Sequence, residues 1–174
     1  MSPSELVAML DEIFSEFDAL VDKYGIEKIK TIGDAYMAVG GLPVPDGQHC
    51  QKVAQMALEI NEIIKTKYAE KYDLKLRIGI HTGKAVAGVI GNKKFSYDLW
   101  GDSVNIASRF EASGHPEKIH VTEAVKNTLG DNFLFEDCGE VDIKGKGMMR
   151  SYFLTGRKAV YLSLIHISEP TRPY

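Results

Sequence analysis

The chain has 174 residues, 44% hydrophobic and 26% charged, which fits one soluble globular domain with a sizeable core. Its formal net charge of −3 argues against a broad nucleic-acid footprint. Cys50 and Cys138 lack metal-ligand spacing, and no stretch approaches the length of a membrane span. The start carries no signal-peptide pattern, so the expectation is a cytoplasmic domain, or the cytoplasmic portion of a membrane protein, with reduced thiols and no membrane contact of its own.

Ser2-Pro3-Ser4-Glu5 predicts a helix start: a serine cap, proline at the first helical position and glutamate at the third. Leu6, Leu10, Ile13, Phe14, Phe17, Leu20 and Val21 then recur at helical spacing, and Gly25 ends the run. Ile26 to Ile32 alternates like a half-buried strand, Gly33-Asp34 is a turn, and Ala35 to Val39 is a second strand. A loop rich in glycine and proline, residues 40–47, leads to a second amphipathic helix from His49 to Tyr68. Its apolar face is Val53, Met56, Ala57, Ile60, Ile63 and Ile64. Leu74 to His81 and Ala85 to Val89 read as strands around Thr82-Gly83-Lys84, and Phe95 to Trp100 as another. A third helix runs from Ser103 to Gly114, with Asp102 able to cap it. A short strand (119–122), a short helix (123–129) and a strand-rich end (133–154) complete the order. Helices packed on one face of an antiparallel-rich sheet give an α+β layer, in the pattern of a ferredoxin-like (βαββαβ-type) core missing its first strand.

The segment Phe95-Ser96-Tyr97-Asp98-Leu99-Trp100-Gly101-Asp102-Ser103-Val104-Asn105-Ile106-Ala107-Ser108-Arg109 carries the chemistry. Asn105 and Arg109 are four apart and share a helix face. A carboxylate such as Asp98 can accept from a base amine, an amide can hold a ribose, and a guanidinium can neutralise a phosphate.

With this segment in view, the sequence resembles the catalytic domain of the class III adenylate/guanylate cyclases. Three further segments agree: Lys28 to Met37, Arg77 to Gly83 with Ala87 to Gly91, and Ile143-Lys144-Gly145-Lys146-Gly147. In the family these are a strand–turn–strand carrying a metal aspartate, a central hairpin and a phosphate-binding loop. The resemblance covers roughly residues 2 to 157 and implies a cyclase domain over 1–158. It also implies a strand before the Ser2 helix, carrying a first metal aspartate, so the chain reads as truncated at its start. Residues 159–174 read as a non-native or disordered tail.

The resemblance implies a site shared between two chains of a homodimer, and ATP as substrate. Adenine presents a donor at N6 and an acceptor at N1. Asp98 can accept from the first and Lys30 can donate to the second, whereas guanine reverses both demands. Asp34 is implied as one of two carboxylates for two Mg²⁺ or Mn²⁺ ions. Asn105 is implied to hold the ribose for attack and Arg109 to meet charge on the α-phosphate. Lys144, between glycines, is implied to bind the terminal phosphates. Taken singly, each has a plainer reading. Lys30 is then a solvent-facing strand lysine, Asp34 and Asp98 are turn residues, Asn105 and Arg109 a helix surface, and Lys144 a basic hairpin turn. Two alternatives stay open: a guanylate cyclase, and a non-catalytic nucleotide-binding or dimerisation domain. His81 reads as a structural hairpin residue.

Overall fold

In the computed structural model, residues 1–91 and 96–158 are described. Helix α1 (Pro3–Tyr24) begins with the expected reciprocal cap: Ser2 Oγ accepts from the Glu5 N–H at 3.2 Å and the Glu5 carboxylate accepts from the Ser2 N–H at 2.8 Å. It ends where Gly25 turns left-handed at φ +65°. Met9, Ile13, Phe17, Leu20 and Val21 are its buried face, while Leu6, expected on that face, is exposed. The antiparallel pair β1 (Glu27–Ile32) and β2 (Ala35–Val39) follows, joined by the Gly33-Asp34 turn. Helix α2 (His49–Ile63) then continues through a π-turn, Ile64–Tyr68, into the short α3 (Ala69–Tyr72). The wide turn keeps Ile64 and Tyr68 buried against α1, inside the cluster that holds Phe17 and Ile60.

The third strand is shorter than expected. Only Ile78–Ile80 (β3) forms a ladder, and its partner is β6 (Ile119–Thr122), in parallel. Strand β4 (Val86–Ile90) pairs antiparallel with β5 (Ser96–Trp100). The expected central hairpin is therefore not a pairing of β3 with β4, because each of those strands bonds elsewhere. Phe95 and the expected tail, 159–174, lie outside the described residues. Helix α4 spans Asp102–Ala112, and α5 (Glu123–Leu129) is capped by Thr122. A 3₁₀ turn (Gly130–Asn132) leads into the long antiparallel hairpin β7 (Phe133–Ile143) and β8 (Gly147–Arg157).

The class is α+β and rich in antiparallel pairs, as expected. Hydrogen bonding among the described strands gives a four-stranded sheet, β3-β6-β8-β7, and two ribbons, β1-β2 and β4-β5. Strand β6 is buried along its whole length. Ile119 and Val121 join the core formed with Ala54 and Ala57 of α2 and Val125 of α5. His120 instead stacks on Phe110 of α4, with ring centroids 4.6 Å apart, and shares a 2.9 Å hydrogen bond with the Phe110 carbonyl. Helix α4 thus covers the side of β6 opposite to α2 and α5, so the helices flank this strand on both sides rather than on the one face expected, because buried residues alternate to both sides of β6.

Glycine seats that helix. A Cβ on Gly79 of β3 would lie 2.3 Å from the Glu111 nitrogen and 2.6 Å from the Ala107 carbonyl oxygen. Backbone meets backbone there, so no side chain can move aside. At the helix start, Ser103 donates to the Lys84 carbonyl at 2.7 Å, and a Cβ on Gly83 would lie 2.4 Å from the same hydroxyl. The apolar cluster Ile106, Phe110 and Ile143 ties α4 to the end of β7.

Candidate active site

Lys30 and Asp98 come from two different ribbons and meet. The Lys30 ammonium donates to Asp98 Oδ2 at 2.8 Å. The other oxygen, Oδ1, accepts from the Leu99 N–H at 2.7 Å. The Lys30 hydrogen bond first, and the Leu99 bond second, hold the Asp98 carboxyl below its usual range. Local sequence explains the geometry. The β1-β2 register shifts between Lys28 and Lys30, so a bulge separates two lysines that would share a face on a regular strand. Lys28 goes to Asp18 of α1, at 2.9 Å, and Lys30 goes to β5. Opposite Asp98 on β4 stands Gly88, which brings no side chain over the carboxylate.

A second group forms around α4. Asn105 and Arg109, one turn apart, line a cavity of about 210 Å³ with Asp102, Ile106, Lys144, Gly145 and Lys146. The loop residues belong to the β7-β8 turn, where Gly145 and Gly147 adopt φ +84° and +76°. Asp102 does not cap α4. Gly101, at φ +134°, holds the cap position with no side-chain bond, and Asp102 is the first helical residue. Its carboxylate pairs across the cavity with Lys146. Among the described residues neither Arg109 nor Lys144 forms an ion pair, which leaves two cations facing the cavity.

Six residues were expected to form the site. The structure brings Asn105, Arg109 and Lys144 to one cavity, joins Lys30 to Asp98 in a separate pair, and leaves Asp34 exposed on the β1-β2 turn. Among the described residues no group of three or more His, Cys, Asp or Glu side chains could hold a metal ion. The chemistry of Asp34 still fits magnesium, which takes one or two carboxylates and completes its shell with phosphate oxygens and water. Sequence reading missed the Asp102–Lys146 contact. The alternation of charge within Lys144-Gly145-Lys146 gives no sign of which lysine is tied down.

His81 shares a 3.0 Å hydrogen bond with the Thr122 hydroxyl, and burial lowers its pKa while Asp102 opposes that shift. It lies just after β3 rather than in the expected hairpin, because β3 and β4 each pair elsewhere. Cys50 is a buried free thiol, with burial pushing its pKa up to about 11, and Cys138 is a half-buried one.

The α+β fold thus carries cationic and amide groups on one helix face and a separate lysine–carboxylate pair, the donors and acceptors that nucleotide chemistry uses. Comparison places it in a family. The model for the adenylate and guanylate cyclase catalytic domain matches residues 1–156, and this chain belongs to that family. An adenylate cyclase from Mycobacterium tuberculosis is 44% identical over 158 residues, covering 90% of this chain and 36% of the relative. The guanylate cyclase domain of RhGC from Catenaria anguillulae, solved in complex with GTP, superposes with a TM-score of 0.86 at 35% identity. That match covers 91% of this chain and 87% of the other. The catalytic core of a rhodopsin-guanylyl cyclase with converted specificity, solved with ATPalphaS, gives 0.84 at 36% identity over 90% and 86%. The chain spans about a third of the length of the M. tuberculosis relative.

Proposed function

We propose that this chain is an adenylate cyclase catalytic domain, forming 3′,5′-cyclic AMP and pyrophosphate from ATP. One observation carries the choice of base: Lys30 and Asp98 are held 2.8 Å apart. Side by side they offer one cationic donor and one anionic acceptor, which match N1 and N6 of adenine. Guanine turns a carbonyl and an N–H toward the same two groups, leaving like roles opposed.

The α4 cavity supports the rest of the reaction. Asn105 holds the ribose so that its 3′-oxygen faces the α-phosphorus. The P–O bond to the β-phosphate breaks as the new bond to the 3′-oxygen forms, the hydroxyl proton passes to solvent water, and pyrophosphate leaves with the electron pair of the broken bond. Arg109, free of any carboxylate partner among the described residues, meets charge growing on the α-phosphate oxygens with little reorganisation. Lys144 takes the terminal phosphates. Asp34 would hold magnesium or manganese, and the complete site would hold two such ions; when bound, the metal neutralises triphosphate charge. The complete site would form between two copies of the chain, with Asp34 from one copy and Lys30, Asp98, Asn105, Arg109 and Lys144 from the other. Sensor or membrane segments of a longer parent belong to the same proposal.

Guanylate cyclase activity is the second reading, because a guanylate cyclase domain bound to GTP is 35% identical to this chain. Turnover with ATP and GTP, measured side by side, tests the choice. Cyclic AMP is the expected product; a preference for GTP overturns the base assignment. Nucleotide binding without turnover, in a chain extended upstream, favours a non-catalytic domain.

A further inference from the structure

We infer that Asp102 is a positioning residue: through Lys146 it clamps the β7-β8 loop onto α4 and so aims Lys144 at the phosphates. The inference rests on the proposed triphosphate site and adds a residue to it. Lys144 lies between two attachments to the same helix. On one side is Ile143, buried and packed with Ile106 and Phe110 of α4. On the other is Lys146, paired with Asp102 at the first turn of α4. The span between them is compliant. Gly145 and Gly147 take left-handed angles with nothing within 4 Å of an added Cβ, and one turn bond, Lys146 N–H to the Ile143 carbonyl at 2.8 Å, crosses the tip. Without the ionic attachment the hairpin is held to α4 only through the apolar cluster at its base, Ile143 with Val141 and Met149, and Lys144 at the tip loses its fixed bearing on Arg109.

Charge supports the same assignment. Arg109, Lys144 and Lys146 crowd one cavity of about 210 Å³, and Asp102 is the carboxylate among its lining residues. It offsets Lys146 and leaves the other two cations for the ligand. Both partners are partly exposed, with side-chain exposures of 39% for Lys146 and 57% for Asp102. The pair therefore sets geometry rather than overall stability.

The test is inorganic pyrophosphate binding by the whole chain, measured calorimetrically without divalent metal, and again with ATP. Asp102→Asn and Lys146→Gln are each expected to weaken binding about three- to five-fold, the range of an exposed ion pair. The thermal midpoint should stay unchanged. Lys144→Ala is expected to weaken binding strongly in the native background and much less in the Asp102→Asn background, because Lys144 is already misdirected there. Asp102→Glu, which keeps the charge, should restore most of the affinity. Additive losses from positions 102 and 144 overturn the inference, as does tighter binding in Asp102→Asn, which would make Asp102 a mere repellent. If neither Lys144→Ala nor Arg109→Ala alters pyrophosphate binding, the triphosphate site itself is wrong and the inference falls with it.

Discussion

Lys30 and Asp98 stand 68 positions apart in the chain and 2.8 Å apart in space. Their union links the two ribbons, β1-β2 and β4-β5, which share no backbone ladder. The paired Lys30→Glu, Asp98→Cys substitution removes the cationic donor and the anionic acceptor together. Catalytic efficiency with ATP is expected to fall at least about ten-fold, a loss typical of one charged hydrogen bond. Use of GTP should rise relative to ATP. Unchanged selectivity between the two nucleotides would remove the base-reading role.

Arg109 lines the cavity with no carboxylate partner among the described residues. Arg109→Ala is expected to lower turnover by about 10²- to 10³-fold, the scale seen when one transition-state donor is deleted. The fold should be unaffected, since no ion pair among the described residues depends on it. Arg109→Lys should recover little, because an ammonium lacks the planar fork. Near-native rates with alanine would exclude a role for Arg109 in charge stabilisation.

Gly79 tests the seating of α4. Gly79→Ala puts a methyl 2.3 Å from the Glu111 nitrogen, against backbone that has nowhere to go. A destabilisation of about 1–3 kcal/mol is expected by denaturant unfolding, the usual cost of overpacking. Helix α4 must shift, so turnover should fall further than the loss of folded protein explains. A variant as stable and active as the parent would mean that β3 and α4 have room to part.

The histidines set the acid limit. Burial lowers the pKa of His120, with His115 acting in the same direction, and burial likewise lowers that of His81. The unfolded chain therefore binds these protons more readily than the folded one. Stability rises with pH across the window just below the ordinary value of about 6.5 and is lost as pH falls through it. Asp98 acts in the same direction at lower pH: its depressed pKa means the Lys30 pair is fully present above the ordinary carboxylate value and is lost only in stronger acid. Urea unfolding at pH 7.5 and 5.5 should show the histidine-linked loss, reduced in His120→Gln. A flat profile would contradict buried neutral imidazoles.

Much of this was legible from residue order. The Ser2 cap, the Gly25 stop, β2, β6 and α5 all fall where local signals put them, because each is set by neighbours within a few positions. Asn105 and Arg109 share a cavity for the same reason: four residues make one helical turn. What escaped was non-local. Leu74 to Arg77 alternate like a strand yet lie before the ladder, since pairing is decided by β6, about forty residues downstream. Asp102 looks like a cap, but a lysine from the far hairpin claims it. Leu6 follows the helical period and still faces out, because what α1 packs against begins one turn later.

The π-turn at Ile64–Tyr68 also sets a phase. Lys67 and Lys71 follow each other at helical spacing, and so do Tyr68 and Tyr72, whose rings stack 6.1 Å apart. On α1 the facing acids, Glu12 and Glu16, keep the same interval; Lys67 meets Glu16, and Tyr72 reaches Glu12 at 2.8 Å. The two rows mesh like gear teeth across a widened turn that absorbs one extra residue without adding its rotation. Excising one residue there would let an ordinary α-turn carry the same phase, whereas inserting a further residue would exceed what the turn absorbs and rotate every downstream tooth by about 100°.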